Sequence, residues 1–275
     1  VDSRCGGVHA RSSSASGNAG DVILTNNTIV GNIADSDNAG VYAESISSSG
    51  TAGDVILTSN IIKENTADYG MSGVQAESRT SEGTAGDVIL TNNIIAENRA
   101  TVYGGGAVVK SWFSSEFGSA GTVVLTNNTI TGNKTDVRGS GLIISMYDNT
   151  IYCYNNIIWG NTADVESGDD IRFYGTGTAY GYNNDYSDMV GSWTSSGSNI
   201  NLDPRLTGSY HLKSSSPCID AGETNVPSPP GLPSTDFEGD DRTIDGNKDG
   251  TATVDIGADE YIPKGLISHL LILLL

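Results

Sequence analysis

Four near-identical decapeptides punctuate the first half of the chain: GDVILTNNTI from Gly20, GDVILTSNII from Gly53, GDVILTNNII from Gly86 and GTVVLTNNTI from Gly121. They start 33, 33 and 35 residues apart. A period of that size marks one supersecondary unit stacked on copies of itself. A single unit has too little apolar surface for a core, so neighbouring copies must bury each other.

The unit from Gly20 to Gly53 reads as strands and corners. Val22 and Leu24 alternate with Ile23 and Thr25, the period of a strand with one face inward. Asn26-Asn27 breaks it, since asparagine tolerates left-handed backbone. Thr28 to Val30 begins a second strand with Ile29 inward, Gly31-Asn32 turns again, and Gly40 to Glu44 supplies a third. A Ser/Gly-rich loop, Ser47 to Gly53, leads to the next copy. No segment carries a helical apolar period long enough for βαβ units.

Aligned copies give columns. Ile29, Ile62, Ile95, Ile130 and Ile158 share one position; Asn27, Asn60, Asn93, Asn128, Asn156 and Asn184 a second; Asn32, Asn65, Asn98, Asn133 and Asn161 a third. With strands ~4.8 Å apart, each column becomes a ladder along the stack. Asparagine ladders satisfy polar groups at buried corners by amide-to-amide bonding. Later coils shorten to 28 residues, Asn127 to Asn155 and Asn155 to Asn183, by losing the Ser/Gly loop. The expected fold is all-β: a right-handed parallel β-helix with three short strands per coil. Residues 1–198 form the coils, 199–262 an irregular C-terminal cap, and 263–275 an apolar tail read as a truncated anchor. Gly6 to Ala10 aligns with Ala39 to Ala43, which places the first residues inside a coil and the export signal upstream.

Charge narrows the partners. The chain has 33 acidic and 14 basic residues, a net charge of -19, which argues against nucleic acid. Cys5, Cys153 and Cys218 support neither a disulfide framework nor a zinc pattern.

Beyond Asn199 the pattern changes. The motifs Asn201-Leu202-Asp203-Pro204, Tyr210-His211-Leu212, Ser216 to Gly222, Asp236 to Arg242 and Asp255 to Tyr261 follow in order. They resemble the end of bacterial β-helix proteins with a choice-of-anchor Q-type C-terminal domain, on the fold of pectate-lyase-like proteins. The resemblance implies a secreted or cell-surface bacterial location and an anchor, and it implies no single activity. Physically, this region is expected to close the exposed end of the coil stack.

Candidate chemistry lies where the repeat breaks. Asp245, Asn247 and Asp249 put oxygens at positions 1, 3 and 5 of a calcium-type loop with Gly250 at 6, and Asp255 stands in for the missing terminal ligand. A structural calcium there would staple the cap. On the third strand, Arg11, Glu44, Glu77 and Lys110 form an outward column, expected to be solvated cross-strand pairs. His9, Tyr42 and Gln75 share the adjacent column, read as a tolerant surface position. Polysaccharide lyases of this fold pair a basic residue with clustered acids, and Asp169 and Asp170 beside Arg172 are the dense acid/base group in the coils. Trp112, Phe113 and Phe117 fall in a long loop suited to sugar stacking. Three sequons begin at Asn26, Asn127 and Asn133, positions that corner and ladder roles explain better. Together these features favour a non-enzymatic extracellular scaffold or adhesin whose partner is a polysaccharide or host-surface ligand. The competing expectation is a polysaccharide lyase or glycoside hydrolase. Clustering of charged and aromatic residues on one face across three coils would favour the enzyme, and scatter the scaffold.

Overall fold

A computed structural model describes residues 6–35, 38–165, 169–227 and 231–263. Cys5 and the apolar tail beyond Pro263 lie outside the described residues. The described chain is all-β, a parallel β-solenoid of about five turns consistent with a right-handed β-helix.

Each regular coil carries the three expected strands and a fourth. In the first coil these are Val22–Thr25, Thr28–Val30, Ile33–Ala34 and Val41–Ser47. The additional two-residue strand follows the second asparagine corner and pairs with Thr66–Ala67, the same segment one coil on. Every rung keeps the register of the sequence columns: Val22 opposite Val55, Ile29 opposite Ile62, Val41 opposite Val74.

Loss of the Ser/Gly loop has a topological effect. Leu142–Tyr154 and Ile171–Tyr182 run straight through the positions where earlier coils have two strands and a loop. Leu142–Tyr154 pairs through its first half with Ala107–Phe113 and through its second half with Val123–Thr126, joining both rows into one 12-stranded sheet. The join needs an irregularity, and the register shifts between Tyr147 and Asn149 with Asp148 at φ 55°.

The corners divide labour between adjacent residues. At the first corner Asn26, Asn92, Asn127, Asn155 and Asn183 adopt left-handed backbone, with Ser59 in the same role. The next residue forms the ladder. Asn93 shows a complete inner rung: its amide and backbone nitrogens donate to Asn128 Oδ1 at 3.0 Å, the amide also donates to Leu57 O, and its own Oδ1 accepts from Asn60. The ladder runs from Asn27 to Asn199, one rung further than the sequence columns suggest. The isoleucine column fills the interior, with Ile62, Ile95, Ile130 and Ile158 fully buried. A glycine column precedes the long strands. A Cβ at Gly40, Gly73 or Gly106 would overlap the carbonyl oxygen of Gly73, Gly106 or Gly141 in turn, so the coils can approach there only as glycine. The Asp of GDVILT forms a further ladder, with Asp21 Oδ1 accepting Asp54 N–H and Asp54 Oδ1 accepting Asp87 N–H.

Among the described residues, the C-terminal region does not sit across the end of the stack. The end of the core is filled by Trp193, packed edge-on to Phe173 at 4.9 Å. Residues 200–227 and 231–263 instead run back along one flank as a strap, over the outward side of the three-residue strands. The left-handed asparagines anchor it: Asn183 Nδ2 to Ala221 O, Asn155 Nδ2 to Glu223 O, Asn127 Nδ2 to Asp255 O and Asn92 Nδ2 to Thr235 O. Ile157 packs there with Leu212, Cys218 and Ile256, and Ile94 with Tyr210 and Ala258. Arg242 is 1 % exposed and donates to Asn92 Oδ1 and Ala258 O. Burial raises the carboxyl of Asp255 to about 7 and that of Glu260 to about 9, the latter pushed further by the charge of Asp255, and Arg242 opposes the rise only in part.

Candidate functional site

The outward face of the long strands collects charge and aromatic rings across six rungs. Register sets Arg11 beside Glu44, Glu44 beside Glu77, Glu77 beside Lys110, Lys110 beside Ser145, and Ser145 beside Tyr174. Two positions along each strand the side chains face the same way, so Trp112 joins Lys110, Arg79 joins Glu77, and Tyr147 joins Ser145.

The middle of the expected solvated column is in fact buried, while Arg11 at one end stays exposed. Glu44 and Glu77 are 2 % and 3 % exposed, because long neighbours close over them. Glu44 accepts from the Tyr42 hydroxyl at 2.9 Å, lies 2.9 Å from His9 Nε2 and 3.5 Å from Arg11 Nε. Glu77 accepts from Trp112 Nε1 at 2.9 Å and Gln75 Nε2 at 3.0 Å, and pairs with Lys110 Nζ at 2.9 Å and Arg79 Nε at 3.4 Å. His9, Tyr42 and Gln75 are therefore partners of the carboxylates and not a tolerant surface row. His9 stacks flat on Tyr42 at 4.8 Å. Burial, followed by the nearby charge of Glu77 and the bond to Glu44, pushes the Tyr42 phenol far up.

Trp112 and Phe113 end a strand and are not part of a loop. Trp112 lies under Arg79 and Lys110, each about 6 Å from its ring, and 5.7 Å from Tyr147. Phe117 projects from the loop that follows, 75 % exposed. Next to Lys110 a shallow depression of about 280 Å³ opens, walled by Tyr103, Lys110, Arg138, Tyr147 and Tyr174 and, among the described residues, by no carboxylate. Tyr103 and Arg138 come from the turns before adjacent long strands and stack at 5.0 Å. In sequence these residues share no motif. The signal that could have found them is the rung-to-rung register carried past the 35-residue spacing.

Within the six long strands, Arg11, Arg79, Lys110 and Arg172 stand against Glu44, Glu77 and the bulge residue Asp148. A chain with a twofold excess of acids thus presents one face where cations are not outnumbered.

The fold takes Asp170 out of the group at Asp169, Asp170 and Arg172, while Asp169 stays within reach of the Arg172 charge. Asp170 is fully buried, with Oδ1 facing Asn161 and Oδ2 accepting Ser187 N–H and Oγ–H at 2.8 and 2.6 Å. Burial raises its carboxyl, and the bonds from Ser187 and Asn161 oppose the rise. Asp169 donates its backbone N–H to Asp188. Arg172 lies on the outer face, beside Tyr174. Only Arg172 joins the long-strand face.

The loop at Asp245, Asn247 and Asp249 is closed by its own turns: Asp249 N–H donates to Asp245 and Asn247, and Gly250 N–H to Asp245. Asp255 does not join these three. It is fully buried, and its two oxygens accept the backbone N–H of Asp220 at 2.6 Å and Tyr261 at 2.7 Å. Of the sequon residues, Asn26 is exposed while Asn127 and Asn133 are fully buried.

Fold and face together define a parallel β-solenoid protein with a charge-balanced, aromatic sheet face. Comparison with family models, curated proteins and solved structures returns no match for the chain.

Proposed function

We propose that this chain is an extracellular β-solenoid scaffold that binds a polysaccharide on its long-strand face without cleaving it. The observation that carries the reading is the depression beside Lys110. It offers tyrosine rings for stacking on sugar faces, with Lys110 and Arg138 as donors suited to carboxylate or sulfate groups. The flat, repeating surface suits an extended chain of sugar units spanning several rungs.

Clustering on one face across several coils is the pattern expected of an enzyme; binding is favoured over turnover here because the two carboxylates are already engaged. Glu77 is buried and meets four donor groups, an arrangement that holds the Lys110 and Trp112 side chains in place and leaves it poorly disposed to accept a proton from substrate. The motifs from Asn201 to Tyr261 add a choice-of-anchor Q-type resemblance, which supports display at a bacterial surface as an adhesin-like module.

The test is a panel of neutral, uronate-bearing and sulfated polysaccharides. Binding to the acidic members is expected, weakened at least tenfold by the double variant Lys110→Ala/Tyr147→Ala, with neither reducing ends nor unsaturated products released. Absence of binding across the panel would refute the reading, and product release abolished by Glu77→Gln would replace it with a catalytic one.

A further inference from the structure

The strap brings together three metal-competent side chains from three separate segments. His211, Glu238 and Asp259 each place a ligand atom within 4.8 Å of the others. His211 Nε2 and Glu238 Oε2 are 2.8 Å apart. We propose that these three residues form a divalent transition-metal site, best suited to Zn²⁺, that locks the strap's segments to one another. The proposal stands independently of polysaccharide binding.

The surroundings are those of a ligand set. The second ring nitrogen of His211, Nδ1, is 2.9 Å from Ser209 Oγ, which fixes the ring and leaves Nε2 directed at the carboxylates. Such a bond on the outer nitrogen is the usual support of a metal-bound imidazole. The Phe237 ring lies 5.5 Å from the imidazole. Asp259 is 5 % exposed, and its Oδ2 accepts Leu212 N–H at 2.7 Å.

One imidazole faces two carboxylates: His211 pairs with Glu238, and its charge also reaches Asp259. His211 and Glu238 are half-exposed, as a surface pair would be. Asp259 is buried beneath them, and a second carboxylate held against the first is stabilised by a cation between them. Arg242, close by, pairs with Glu260 at 3.7 Å and hydrogen-bonds Asn92 and the carbonyls of Ala258 and Asp259, but it makes no hydrogen bond to the Glu238 or Asp259 carboxylate. One imidazole and two carboxylates give a nitrogen–oxygen set that suits Zn²⁺ with one position left for water. Calcium prefers oxygen ligands throughout. Glu238 also borders a cleft beside Ser59 and Ile61, which gives an ion a way in.

The test uses the full chain after chelator treatment and dialysis. Added Co²⁺ is expected to give visible absorption bands saturating at one equivalent and displaced by Zn²⁺. Zn²⁺ should raise the melting midpoint by several degrees, and Ca²⁺ should not. Both effects should vanish in His211→Gln and in Glu238→Gln; the second variant alters an exposed side chain and tests the site if the first does not fold. Failure of Co²⁺ to give bands, bands that persist in the folded variants, or an equal shift with Ca²⁺ would overturn the proposal.

Discussion

Asp170 occupies the next rung of the second asparagine ladder: its Oδ1 accepts the backbone and side-chain N–H groups of Asn161 at 3.2 and 2.9 Å. A carboxylate accepts and cannot donate onward, so the ladder ends there and turns to Ser187. Asp170→Ala would strand the Asn161 and Ser187 donors in a buried corner, at ~1–3 kcal/mol per group. Asp170→Asn keeps the acceptor toward Asn161 and should cost less. Urea denaturation measures both, and polysaccharide binding by either folded variant should match the parent chain.

Position in a ladder sets the cost of breaking it. Asn98→Ala removes the acceptor for Asn65 and the donor to Ile62 O inside the stack, an expected loss of about 2–4 kcal/mol. Asn32→Ala, at the first described rung, withdraws only the side-chain amide from Asn65 Oδ1, which keeps the backbone N–H of residue 32, so the cost should be small. Equal midpoint shifts for the two variants would contradict this account.

The glycine column predicts a contrast without any change of polarity. Gly73→Ala drives a methyl into the Gly106 carbonyl and should push two coils apart, whereas Gly208→Ala meets nothing within 4 Å. Thermal melting should fall sharply for the first and stay near the parent value for the second.

Asp185 carries a pH signature. Burial raises its carboxyl to about 6, against bonds from Leu202 N–H and the Cys218 thiol that lower it. A group raised above its unfolded value of ~3.9 favours the native state while protonated, and that contribution disappears as pH rises through 6. Asp185→Asn, neutral throughout, should therefore be more stable than the parent at pH 8, by on the order of 2 kcal/mol, and equal to it near pH 4. A difference that does not change with pH would exclude burial of the charge as its cause.

Much of the fold was legible because stacking repeats the same residue at the same offset. The ladders of Ile29 and Asn27 are visible in sequence for the reason they exist in space. The fourth strand was not, since segments such as Ile33–Ala34, Thr66–Ala67 and Lys134–Thr135 are two residues long, too short to show alternation, and the alanine recurring as Ala34, Ala67, Ala100 and Ala163 is a weak strand signal. Asp170 escaped because the ladder changes residue and drops from a 28-residue step to nine. Burial of Glu44 and Glu77 depends on rings and stems from neighbouring coils, which column alignment places but does not size. The strap's partners lie too far away in sequence for any local pattern, as with Arg242 and Asn92, 150 residues apart.

That separation bears on how the molecule comes apart. In a bare solenoid each coil touches only its neighbours, so unfolding can begin at an end and travel. A segment fastened at Asn92, Asn127, Asn155 and Asn183 ties non-adjacent coils into one cooperative block, and none can open without releasing shared contacts. Residues 22–47, on the far side of Asn92, keep the independence of a plain repeat. Their amides should exchange with solvent at a lower opening free energy than those of residues 88–163, making the strap the boundary between two foldons in an otherwise uniform array.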